Sequence, residues 1–296
     1  IWLASSSPEK GPPVWLFGVA TPTTPGFSDK FPLDEDSSAR SGPSTTAGTV
    51  ALGSTAFGTG VFYLKPKGTE LVLGESFIES SGTVRNYSFD APPPNTTQYL
   101  PVVAGSGANR MLAFAEVAGS TATLHLARLE SQFVKLVDIP APFSLSNSPT
   151  EFYRKLGVAK LDAGYLVAFN VEAASPPKGE LGVAFLDSGD QYVCGPTSLR
   201  LSGTIANRIA GTASTADRAL VVFAEYSTTA VKGDLYVSLM KSDCTAAVTV
   251  PIVTDVATQL QADFDSDSTL RALVYADATD GEKHLKLRLF GANLCD

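Results

Sequence analysis

Positive charge is scarce in this chain and nowhere concentrated. Lys and Arg number 22 against 30 Asp and Glu in 296 residues, a formal net charge of −8. Phosphate backbones are held by clustered Lys and Arg, so nucleic-acid binding is set aside. An anionic membrane surface is disfavoured for the same reason. Charged residues of either sign make up only 18%, low for a globular protein. Long apolar runs are missing too, since none approaches the roughly 20 residues that span a bilayer. Histidine is limited to His125 and His284, and tryptophan to Trp2 and Trp15. That leaves too few ligands for a structural zinc, which needs four close ones, and few broad platforms for a multivalent lectin. A Gly-x-Ser-x-Gly elbow and a Gly-rich phosphate loop are both absent, which weighs against serine-nucleophile and phosphoryl chemistry. The chain opens at Ile1 with neither an initiator Met nor a signal-peptide layout, and reads as a processed or excised chain.

What the chain does have is a repeat. Arg218-Ala-Leu-Val-Val-Phe-Ala-Glu225 returns as Arg110-Met-Leu-Ala-Phe-Ala-Glu116 and as Arg271-Ala-Leu-Val-Tyr-Ala-Asp277. Looser copies place the register aromatics at Phe17, Phe62, Phe114, Phe169, Phe223 and Tyr275, separated by 45, 52, 55, 54 and 52 residues. A period near 50 built from short β-type segments points to a propeller. The spacing predicts strands over Tyr99–Ala104, Met111–Val117, Thr121–Leu129 and Phe133–Ile139 in the third repeat. It predicts Arg208–Thr212, Ala219–Glu225, Asp234–Met240 and Ala247–Val253 in the fifth. Third strands alternate apolar and polar residues, whereas second strands are apolar throughout and must be covered on both faces. The fold class expected is all-β, a six-bladed propeller of mostly four-stranded blades in one domain. Blades fall near residues 1–47, 48–97, 98–150, 151–203, 204–256 and 257–296, the last one curtailed. The resemblance is to the superfold, and fold alone does not give function.

Three cysteines, Cys194, Cys244 and Cys295, lie 50 and 51 residues apart. Equivalent places in neighbouring blades are usually too distant for a bridge, whose Cα atoms must lie within about 7 Å. The expected pair is therefore Cys244–Cys295, with Cys295 on a tail able to swing across. Two N-glycosylation sequons, at Asn86 and Asn95, flank the triple proline Pro92-Pro-Pro94, which must lie in an exposed loop. Both features point to an extracellular or cell-surface setting.

Three carboxylates recur two residues after the register aromatic: Glu116, Glu225 and Asp277. At matching strand ends they would sit at the mouth of a propeller channel, as an active-site rim or a cation site. The plainer reading makes each a strand-terminal acid that meets solvent or an arginine. His125 and His284 fall on alternating third strands and are expected at solvent. Asp263-Phe-Asp265-Ser-Asp267 resembles the calcium loop of integrin-type propellers, which implies oxygen ligands converging on calcium from Asp263, Asp265 and Asp267. Ser268 stands where that loop has glycine, and Arg271 near where its last acid falls. The leading reading is a non-catalytic propeller, leaning away from an enzyme, that binds a protein or glycan partner at the channel mouth or builds an extracellular assembly. The alternative is a glycosidase-like propeller hydrolase using Glu116, Glu225 and Asp277, with no cofactor other than calcium.

Overall fold

The computed structural model describes residues 2–6, 14–18, 31–32, 50–55, 58–67, 70–79, 81, 83–88, 93–106, 109–119, 121–129, 137–145, 156–173, 178–200, 205–215, 217–227, 232–257, 262–266, 270–277 and 284–291. Every regular element among them is a strand, and among them no helix is long and apolar enough to cross a membrane. Sheet one holds β1 (Trp2–Ser6), β2 (Val14–Gly18) and β3 (Phe31–Pro32). Sheet two holds β4 (Val50–Thr55), β5 (Gly58–Lys67), β6 (Glu70–Glu79) and β7 (Val84–Ser88). Sheet three holds β8 (Thr96–Ser106), β9 (Asn109–Ala118), β10 (Thr121–Leu129) and β11 (Val137–Leu145). Sheet four holds β12 (Gly157–Leu161), β13 (Gly164–Ala173), β14 (Lys178–Asp187) and β15 (Tyr192–Arg200). Sheet five holds β16 (Ile205–Ser214), β17 (Ala219–Ser227), β18 (Lys232–Met240) and β19 (Ala246–Ala257). Sheet six holds β20 (Ala262–Ser266), β21 (Leu270–Asp277) and β22 (His284–Gly291).

Within each sheet the strands follow chain order. The all-β class and the four-stranded antiparallel unit are as the repeat implied, with three strands described in the first and last sheets. One strand departs from expectation. The fourth strand of the third repeat is described over Val137–Leu145, past the end of the expected Phe133–Ile139, and it runs through Pro140 and Pro142, while residues 133–136 lie outside the described residues. β11 ends its sheet, so a proline nitrogen on its outer side costs no ladder bond.

The chain divides into two compact units, Ile1–Thr121 with His125–Asp138, and Ala122–Leu124 with Ile139–Asp296. In the first unit Phe62, Leu64 and Leu73 of sheet two bury against Leu112, Phe114, Ala127 and Leu129 of sheet three. In the second, β17 shows why second strands are apolar throughout. Ala219, Val221 and Phe223 join the cluster shared with sheet four, while Leu220, Val222 and Ala224 join the one shared with sheet six. Removing each such side chain from water contributes on the order of 1.5–3 kcal/mol for Val, Leu or Phe. Packing is close enough that a Cβ on Gly211 would stand 2.3 Å from the Phe264 carbonyl oxygen, so a side chain there would push sheets five and six apart. Thr212 ties sheet five to sheet four by donating its hydroxyl to the Val158 carbonyl at 2.7 Å.

The disulfide is Cys194–Cys244, with Cα atoms 6.0 Å apart, and not Cys244–Cys295. The two bridged cysteines are not equivalent by position. Cys194 is on the outer strand β15, whereas Cys244 sits in the β18–β19 turn at φ 61°. Asp243 shapes that turn, accepting from the Thr245 backbone N–H at 2.9 Å and its hydroxyl at 2.6 Å. The turn buries Cys244 against the core of sheets four and five, which brings it to Cys194. Cys295 lies outside the described residues. A bridge fits an oxidising compartment. It closes a loop of 50 residues, for which chain entropy predicts about 4 kcal/mol, with measured values commonly about 2–4 kcal/mol. The double variant Cys194→Ser/Cys244→Ser should lose stability of that order in urea unfolding. Peptide mapping without reduction should recover Cys194 linked to Cys244, and any other partner for Cys244 contradicts the pairing.

Candidate active site

The three recurrent acids take up different surroundings. Glu116, at the end of β9, is half-buried between two neighbours. Its Oε1 accepts from Gln98 Nε2 at 2.8 Å, and its Oε2 lies 3.0 Å from His125 Nε2. Gln98 is itself oriented, because its Oε1 accepts the Leu73 backbone N–H of sheet two at 2.7 Å. The His125 ring stacks on Phe114 at 5.3 Å between centroids. The hydrogen bond from His125, reinforced by the one from Gln98, holds the Glu116 carboxyl below its ordinary range despite burial. His125 was expected at solvent and is not there; it faces the acid. His284 is exposed as expected.

Asp277, at the end of β21, is 5% exposed and forms an ion pair with Lys286 of β22. Glu225, at the end of β17, is also 5% exposed, but its register partner on β18 is a second acid, Asp234. Directly opposed side chains on neighbouring antiparallel strands have Cβ atoms about 4.5–5.5 Å apart, and like charges so placed are destabilising. On the same face Phe223 pairs with Tyr236, their rings stacked at 5.8 Å. The Tyr236 hydroxyl donates to Asp234 Oδ2 at 3.3 Å. Glu225, Asp234 and Tyr236 thus form an acid pair with an aromatic wall at one strand end of sheet five, with Asp234 and Tyr236 half-buried.

Sequence reasoning named Glu116, Glu225 and Asp277 but missed Asp234, Gln98 and Glu75. The signal for Asp234 was present: strands ending at Glu225 and restarting at Asp234 place those residues across a hairpin. Glu116 belongs to the first unit, and Glu225 and Asp277 to the second. Among the described residues no group of three or more His, Cys, Asp and Glu could hold a metal.

The calcium-loop expectation needs correction. Asp263 and Asp265 are not in a turn; they lie within β20, paired with Val274 and Ala272. The integrin-type turn is therefore not what Asp263 and Asp265 form. Asp267 lies outside the described residues.

A further carboxyl is buried between sheets two and three. Glu75 of β6 is 1% exposed, faces the guanidinium of the fully buried Arg110 of β9, and has no hydrogen-bond partner at Oε2. Gly60 makes the room. A Cβ there would lie 2.8 Å from Glu75 Oε1, 3.2 Å from Arg110 Nη1 and 3.3 Å from Phe62 Cε2. Gly60→Ala should therefore destabilise the protein by about 1–3 kcal/mol through overpacking. A denaturation midpoint unchanged from the parent would contradict this crowding.

No family model and no curated protein matches the chain. Solved structures do. The GH43 endo-arabinanase of Bacillus licheniformis aligns with TM-score 0.42 and 10% identity, over 84% of this chain and 94% of that one. An exo-1,5-α-L-arabinanase from a bovine ruminal metagenomic library aligns with TM-score 0.44 and 9% identity, over 83% and 95%. A glycosyl hydrolase of Bacteroides ovatus gives TM-score 0.45 and 9% identity, over 82% and 83%. At this distance the likeness concerns fold. It supports a propeller, but neither the six-blade count nor the integrin-type loop. The expectation of a non-catalytic binding or assembly propeller, leaning away from an enzyme, is corrected by the same finding: the structures reached are glycoside hydrolases.

Proposed function

We propose that the chain is a propeller-fold glycoside hydrolase whose two working carboxyls are Glu225 and Asp234. The observation that carries this reading is their direct opposition across β17 and β18. Glycosidic hydrolysis needs two carboxyls flanking one bond, about 5–9.5 Å apart. Of the three recurrent acids, Glu116 faces a histidine and Asp277 a lysine, while Glu225 faces a carboxyl. One carboxyl of the pair gives its proton to the leaving oxygen as the bond to the anomeric carbon breaks. The other assists water or attacks the carbon itself, and the stacked Tyr236 and Phe223 wall one side. Incubating the purified chain with a panel of plant, microbial and host polysaccharides and aryl glycosides, and reading released reducing ends, tests the proposal. Release abolished by Glu225→Gln is the expected result. No release from any member, at enzyme and substrate levels that give a reference hydrolase full conversion, counts against the reading.

A further inference from the structure

We propose that two copies of the chain associate reversibly by stacking the open faces of their sixth sheets on each other. A row of leucines carries this, standing exposed in a position that sheets four and five bury. The register aromatics Phe169, Phe223 and Tyr275 pair with Gly182, Tyr236 and Lys286 on the third strands β14, β18 and β22. Flanking those partners are Leu181 and Val183, Leu235 and Val237, and Leu285 and Leu287. The first four are at most 5% exposed. Leu181 and Val183 share a core with Val221 and Phe223 of β17, the second strand of sheet five. Leu235 and Val237 share one with Leu273 of β21, the second strand of sheet six. Leu285 and Leu287 hold the matching place yet are 79% and 61% exposed, with Leu289 beyond them at 50%.

Sheet six buries its other face against sheet five, through Phe264, Leu273 and Phe290. On the open face the described side chains of β21 and β22 are Ala272, Val274, Ala276, Leu285, Leu287 and Leu289. None is charged, the three from β21 are half-buried, and the leucines stand out from them. A contiguous exposed apolar patch on a soluble chain marks a contact surface.

What this face fits is a copy of itself. It sets a third strand, β22, beside a second strand, β21, and the third strands β14 and β18 are each covered by the second strand of the next sheet. A twofold axis running between β21 and β22 lays each β22 on the other copy's β21 and covers both strands at once. The stack of sheets four, five and six then continues, face to face, into the sixth sheet of the second copy. By register Asp263 and Asp265 of β20 belong to the same face, and this axis leaves β20 beyond the other copy's β22, outside the apolar contact. Pairing through the outer edge of β22 is disfavoured. An antiparallel edge contact centred on Leu287 would set Lys286 of one copy against Arg288 of the other. Both cations lie on the sheet-five side, where Lys286 pairs with Asp277 and Arg288 donates to the Ile252 carbonyl of β19. Neither intrudes on the leucines. Two strands of eight residues make a small interface, so the dimer is a weak one that dissociates on dilution.

Sedimentation velocity of the full chain over a wide concentration range tests this. A monomer–dimer equilibrium is expected, and Leu287→Asp, at the centre of the contact, should weaken it by at least about tenfold. The urea midpoint of that variant in dilute solution should match the parent's, because Leu287 is exposed in the single chain. Val248→Asp, at an exposed valine of β19 outside the face, should dimerise as the parent does. Should Leu287→Asp fail to fold, the double variant Leu285→Ser/Leu289→Ser gives the same reading. A parent that stays monomeric at every concentration overturns the proposal, the leucines then being covered by another part of the chain or by a different protein. A dimer indifferent to Leu287→Asp, or weakened as much by Val248→Asp, overturns it too.

Discussion

Glu225→Gln is expected to lower kcat by about 10²–10⁴-fold while raising stability, and the pairing of those two outcomes is what identifies a working acid. Losing a positioned general acid or base typically costs a rate factor of that size. The substitution keeps the side chain's shape and removes one of two like charges opposed across β17 and β18. Relief of such opposition is worth roughly 0.2–1 kcal/mol, readable as a higher urea midpoint. Asp234→Asn should act in the same two directions. The double variant should lose little more activity than either single one, because residues that act as a unit are not additive. A purely structural role predicts the reverse, lost stability with activity tracking the folded fraction. Retained activity in both single variants, alongside abolition by Glu116→Gln or Asp277→Asn, would move the chemistry away from sheet five.

The repeat was legible because its signal is local. Aromatics at near-constant spacing mark the second strands, and in β5, β9, β13 and β17 burial on both faces leaves a continuous apolar run. The matching positions of Glu116, Glu225 and Asp277 were legible for the same reason. What the three acids do was not, because it depends on the strand opposite. His125, Asp234 and Lys286 give three equivalent carboxylates three different chemistries, and only a register can pair them. The disulfide failed on a related point. Spacing by one repeat was taken as equivalence, yet Cys194 is on an outer strand and Cys244 in a turn that leans across the boundary. The turn expected at Asp263 and Asp265 is a strand because Asp-x-Asp-x-Asp is compatible with either, and the pairing with β21 selects the strand. Glu75 carries no motif at all. Its burial follows from Gly60 on one strand and Arg110 in the next sheet, a coincidence that sequence does not announce.

That buried carboxyl sets the second large expectation: the protein should lose stability as pH rises from 4.5 past 7. Burial pushes the Glu75 carboxyl from its ordinary 4.5 up to about 7, against the opposing pull of Arg110. A group whose folded pKa is raised contributes stability that is fully present below 4.5 and is lost as pH climbs through the folded value. The difference corresponds to about 3.5 kcal/mol at roughly 1.4 kcal/mol per pKa unit. Glu116 has the opposite sign and a separate window. Its folded pKa is depressed, so its contribution is present above the ordinary carboxylate range and lost only on acidification below it. Of these two carboxyls, Glu75 is the one that changes charge between pH 5 and 8. Urea unfolding followed by near-ultraviolet circular dichroism across that interval should show a midpoint that falls with pH. Glu75→Gln, which cannot ionise, should flatten the profile even if it shifts the absolute midpoint through loss of the Arg110 attraction. A midpoint that stays level or rises in the parent, or a slope in Glu75→Gln as steep as the parent's, would mean that the carboxyl stays ionised between the two sheets. The stability of the interface would then rest on its attraction to Arg110 and not on a proton.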